Sequence, residues 1–71
     1  KMILETADGH ISFSGKTNLI ESVDLYTISG SKVYSTAQHV REIDTNFLNQ
    51  GIYLVQVNCI SEKLRYKVFI P

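Results

Sequence analysis

Gly51-Ile52-Tyr53-Leu54-Val55-Gln56-Val57-Asn58-Cys59, followed after Ile60-Ser61-Glu62 by Lys63-Leu64-Arg65-Tyr66-Lys67-Val68-Phe69-Ile70, is the stretch whose reading decides the fold. Successive side chains on a strand point to opposite faces, so period two separates an inner set from an outer one. Tyr53, Val55, Val57 and Cys59 fall on one face, and Ile52, Leu54, Gln56 and Asn58 on the other. In the next segment Leu64, Tyr66, Val68 and Ile70 oppose Lys63, Arg65 and Lys67, with Phe69 the one apolar residue on the basic side. This pattern predicts two half-buried antiparallel strands, the last with a wet basic face.

The same period recurs outward from this pair, and no helical i, i+3, i+4, i+7 pattern is sustained. Leu19 to Ile28 reads as a strand that turns through Ser29-Gly30 into Lys32 to Thr36, and a further extended stretch spans Val40 to Asp44. Asn46 to Gln50 reads as an irregular turn or a single helical turn before Gly51. Met2 to Ala7 and His10 to Ser14 are joined by Asp8-Gly9, a favoured two-residue hairpin pair. Gly15 to Asn18 is a loop. The expectation is an all-β fold, a small immunoglobulin-like β-sandwich of about seven antiparallel strands. Leu25, Tyr53, Val55, Val57, Tyr66 and Val68 are the candidate core. One Cys and no Trp exclude the Cys-Trp-Cys core of antibody domains, so that likeness is architectural.

Residues 1–71 form a single domain near the lower size limit for folding on one core. Cys59, the lone cysteine, permits no internal disulfide, and it reads as a small core hydrophobe or as the site of an intermolecular bridge. Seven basic and seven acidic residues cancel, which argues against nucleic acid as a partner. No segment is long and apolar enough for a membrane-spanning helix. Lys1-Met2-Ile3-Leu4-Glu5 is too short and too soon acidic for a secretory signal. If the protein is exported, its signal lies upstream, and the sequence reads as one domain cut from a larger secreted protein.

Residues that carry chemistry are scattered. His10, His39 and Cys59 lack metal-ligand spacing, and neither a nucleophile elbow nor a Gly-rich phosphate loop occurs. The reading is therefore non-catalytic, with no cofactor and no metal. Glu42 and Asp44 share a strand face as solvating, edge-protecting charges. The row Lys63, Arg65, Lys67 reads either as a solvated face or as a docking strip for an acidic partner surface. Tyr26, Tyr53 and Tyr66 read as core rings whose hydroxyls reach backbone partners.

Three motifs in order resemble the type A C-terminal sorting domain of the type IX (Por) secretion system. The first is Val23, Leu25, Tyr26, Gly30 and Val33, with Thr27 where the family usually has Asp. The second is Leu48, Gly51, Ile52, Tyr53, Leu54, Val55 and Val57. The third is Lys67, Val68, Phe69 and Ile70, followed by Pro71 where many members close on a basic residue. The Pro-Asn-Pro opening common in the family is missing, with Thr6 to Gly9 in its place.

The resemblance implies a folded address label on a cargo domain of the same chain. Such a cargo passes through the periplasm of a Gram-negative bacterium. Its label is recognised by the outer-membrane translocon, then cleaved by a sortase-type peptidase or retained at the cell surface. Recognition candidates are Lys63, Arg65, Lys67, Val68, Phe69 and Ile70, while Tyr26, Gly30, Gly51 and Tyr53 hold the motifs in shape. The exposed edge of a last strand also allows a homodimer. The alternative function is an immunoglobulin-like accessory or carbohydrate-binding domain of a secreted hydrolase.

Overall fold

The computed structural model describes residues 3–7, 9–15, 19–37 and 41–71. Among these residues the chain forms seven strands and no helix: β1 (Ile3–Ala7), β2 (His10–Ser14), β3 (Ile20–Thr27), β4 (Lys32–Ala37), β5 (Glu42–Asp44), β6 (Gly51–Cys59) and β7 (Lys63–Ile70). They build a three-stranded sheet, β1-β2-β5, facing a four-stranded sheet, β4-β3-β6-β7, with every pairing antiparallel. This is the small immunoglobulin-like sandwich expected from the alternation. His39, which lacks metal-ligand spacing in the sequence, and Val40, the expected start of a strand, lie outside the described residues, as do Met2, Asp8 and residues 16–18.

The core lies between the sheets. Ile11, Phe13 and Ile43 come from one side, and Ile20, Val23, Leu25, Tyr53, Val55, Val57, Val68 and Ile70 from the other. Ile20 sits on the opposite parity from Val23 and Leu25, yet all three are buried. A bulge between Ile20 and Ser22 in the pairing of β3 with β6 resolves this by shifting the register one residue. Leu64, Tyr66 and Cys59 are only partly buried at the margin of the core. Tyr66 is thus less enclosed than expected. It lies on β7, an edge of its sheet.

The side of the sandwich by β4 is closed by Tyr34, whose ring packs at 5.4 Å and a 44° tilt against Phe47 of the β5–β6 connection. That connection is an irregular turn rather than a helical one, closed by the Leu48 N–H donating to the Thr45 carbonyl at 3.0 Å. Tyr53, the first buried residue of β6, donates its hydroxyl to the Asn49 carbonyl at 2.7 Å and anchors the same connection.

Candidate recognition surface

The four-stranded sheet turns Lys63, Arg65, Lys67 and Phe69 outward from β7, and all four are exposed. Val68 and Ile70 point inward, each 6% exposed, so their side chains hold the strand to the core. Of the six candidates, then, four form a surface strip and two secure it. Among the described residues no carboxylate lies within salt-bridge distance of Lys63, Arg65 or Lys67. Among the described residues, the one side-chain hydrogen bond from the three runs from the Arg65 Nε–H to Gln56 Oε1 at 3.1 Å.

Gln56 belongs to a polar network that crosses all four strands. Its Nε2 donates to Asn58 Oδ1 (2.9 Å), and Asn58 Nδ2 donates to Ser22 Oγ (2.8 Å) and Asp24 Oδ2 (3.1 Å). Ser35 Oγ donates to Asp24 Oδ1 at 2.7 Å, and Lys32 Nζ stands 3.7 Å from the same oxygen. Asp24 is only 9% exposed although it projects from the outer face. The Ser35 hydrogen bond holds its carboxyl below the usual carboxylate range, with Asn58 and Lys32 adding to it and partial burial opposing. The sequence reading passed over Asp24. The available signal was one acid between Val23 and Leu25 in a strand that has neighbours on both sides.

Tyr26 departs from the expectation of a core ring. Its partner across the pairing is the outward Leu54, so it faces out, half-buried, with Lys32 Nζ 5.8 Å from the ring centre. Strand parity forces this: once Val23 and Leu25 point in, Tyr26 points out.

The turn after β3 explains the first motif. Gly30 has φ = 99° and donates its N–H to the Thr27 carbonyl at 2.9 Å. A side chain there would meet open space, so the backbone angle selects glycine, not crowding. Thr27 Oγ1 accepts the Ser31 N–H at 3.1 Å. A carboxylate at this position would accept the same bond, so Thr preserves the local hydrogen bonding that an Asp would make.

Among the described residues no catalytic arrangement emerges elsewhere. The cleft of about 320 Å³ lined by Gly9, Thr45, Asn46, Leu48, Ile70 and Pro71 contains no titratable side chain. His10 Nε2 lies 3.3 Å from Glu42 Oε2 on the outer face of the other sheet, both groups open to solvent. Burial pushes the Cys59 thiol up, with Glu62 and Glu21 adding, which disfavours the reactive thiolate needed for an intermolecular bridge. Among the described residues no three His, Cys, Asp or Glu side chains gather to hold a metal.

A family model described as the secretion system C-terminal sorting domain matches residues 7–71. The chain belongs to this family. A search of the curated proteins finds no match. The sorting domain is a signal for type IX secretion, directing export across the outer membrane, and the family is in general non-catalytic. The match begins at Ala7 and so takes in β2 as well as the motif-bearing strands, further than the three motifs alone reached.

Proposed function

We propose that this sorting domain is read as a folded surface by the outer-membrane translocon, through the outward side of β7. The observation that carries this is the strip Lys63, Arg65, Lys67 and Phe69, three cations without carboxylate partners among the described residues beside an exposed ring. Val68 and Ile70 contribute by locking the strand so that the strip keeps one geometry. After passage, a sortase-type peptidase removes the domain, or the domain is retained and holds its cargo at the cell surface. The family supports the destination. The strip supports the mode of recognition.

The test is a reporter carrying this domain as its C-terminal tail in a host with a working type IX system. Changing Lys63, Arg65 and Lys67 together to Ser leaves the core untouched, since surface substitutions usually alter stability by less than about 0.5 kcal/mol each. The expected result is a reporter held in the periplasm while the melting temperature stays within a few degrees. Normal export of this triple variant would move recognition away from β7.

A further inference from the structure

The outer face of the four-stranded sheet has two unlike halves. One half, Ser22, Asp24, Ser35, Gln56 and Asn58, is closed on itself by hydrogen bonds. In the other half Ile52 is 43%, Leu54 37% and Phe69 55% exposed, and Ile28, just past the end of β3, is 66% exposed. The registers make the strand residues neighbours: Ile52 faces Phe69, and Leu54 lies between Tyr26 and Lys67. Apolar residues scattered singly over a surface are ordinary, but several gathered on one sheet face mark an interaction site.

The charges around this patch are one-sided. Lys67 borders it on β7 opposite Leu54, Arg65 and Lys63 continue the row opposite Gln56 and Asn58, and Lys32 stands across the patch beside Tyr26. Of the two acids on these paired strands, Asp24 is nearly buried and already bonded, and the exposed Glu21 sits at the bulge, at the end of β3 away from the patch. The acids of the other sheet, Glu5, Glu42 and Asp44, are exposed on the opposite side of the molecule. A formally neutral chain thus presents one basic, apolar face and one acidic face.

We infer that the patch of Ile52, Leu54 and Phe69, extended by Tyr26 and Ile28, is a docking surface for a partner with an apolar centre bordered by carboxylates. This rests on the reading given under Proposed function, and it names the chemistry of the translocon surface that meets the domain. Charge complementarity selects that occupant. A second copy docked face to face through the same patch would bring two cation-bordered faces together, which repel. A copy docked through its acidic sheet would offer carboxylates, but Ile3 is the one large exposed apolar residue that face carries among those described.

The experiment uses the same reporter fusion. Leu54→Thr with Phe69→Thr removes the apolar centre and keeps residues that suit strands. Lys67→Glu reverses one border charge at an exposed position. Glu5→Gln, on the other sheet, is the control. Surface reporter should fall roughly tenfold or more in the double variant, as for loss of hot-spot contacts, and fall also in Lys67→Glu, while the control exports normally. A benzophenone side chain at position 52 should cross-link the parent fusion to an outer-membrane component, and the adduct should disappear in the double variant. Circular dichroism and melting decide whether a variant is folded, and Lys67→Glu serves should the double variant melt early. Export of both variants at the parental level, with the parent exported, overturns the inference, and the separate variant with Lys63, Arg65 and Lys67 changed to Ser then decides whether β7 is read at all. Sedimentation that finds a dimer dissolved by Leu54→Thr would assign the patch to a second copy and also overturn it. A parent fusion that never reaches the surface overturns both readings.

Discussion

Val55→Ala, measured beside Leu54→Thr, tests the register on which every assignment of inner and outer faces depends. Val55 is fully buried at the middle of β6, opposite Leu25 on one side and Tyr66 on the other. Truncation to Ala removes two methylene equivalents worth about 0.8 kcal/mol each in transfer free energy. The cavity adds to this, because strands on both sides hold the backbone and allow little collapse. A total of about 2–3 kcal/mol follows, against a stability of roughly 4–11 kcal/mol expected for 71 residues. In a domain this small each kcal/mol shifts the melting temperature by about 4–8 °C, so Val55→Ala should melt roughly 10–20 °C below the parent. In urea the midpoint should fall by about 2 M if the slope is near 1 kcal/mol/M. Leu54, one residue earlier, is 37% exposed, and its change to Thr should cost under about 1 kcal/mol. Thermal and urea melts followed by circular dichroism measure both. A one-residue slip would exchange the two faces. Equal losses in the two variants, or a larger loss in Leu54→Thr, would therefore refute the register.

Two further outcomes follow from the outer face and its turn. Thr27→Val keeps the shape but removes the acceptor of the Ser31 N–H, and should cost about 0.5–1 kcal/mol because water replaces much of the bond. Thr27→Asp keeps an acceptor and should melt with the parent, and a loss equal to that of Val would show that the hydroxyl bond contributes nothing. Asp24 has a folded pKa below its unfolded one, chiefly through Ser35, so its contribution is fully present above the unfolded value. That contribution is lost as pH falls through the folded value. Stability should accordingly decline below about pH 4, and less steeply in Asp24→Asn, as read from melts across that range. A variant with the same pH dependence as the parent would place the acid sensitivity in other carboxylates.

The strand β7 was legible because its two faces contrast over most of its eight residues, and β6 because Gln56 and Asn58 fix the parity that its apolar start, Ile52 to Val55, leaves open. Alternation there admits one register only. β3 was legible as a strand but not in its facing. Glu21 and Ser22 are both polar, so nothing in the sequence marks the bulge that lets Ile20 join Val23 and Leu25 inside. Tyr26 was misplaced by grouping it with Tyr53 and Tyr66 as a core ring, although the parity of Val23 and Leu25 already sent it outward. The polar network was hidden for a different reason. Ser35 and Asn58 reach Asp24 across 11 and 34 residues of sequence, and such pairings exist only once the sheet has set which strands are neighbours.

That network also separates folding from function on the outer face. Asp24 and its partners satisfy one another, so this half of the sheet can face water and still reinforce the strand order. The apolar half has no such account. Phe47 is 54% exposed, yet its ring packs on Tyr34 and closes one side of the sandwich. Ile3 and Ile60 are exposed singly at a strand start and in a loop. Ile52, Leu54 and Phe69 instead stand together on paired strands, where polar residues would solvate better and stabilise the sheet about as well. Their inward neighbours Tyr53, Val55, Val68 and Ile70 already form the core without them. The fold does not require these three side chains; the proposed docking surface accounts for them, and on that proposal Lys67, opposite Leu54, sets the sign of the partner's charge.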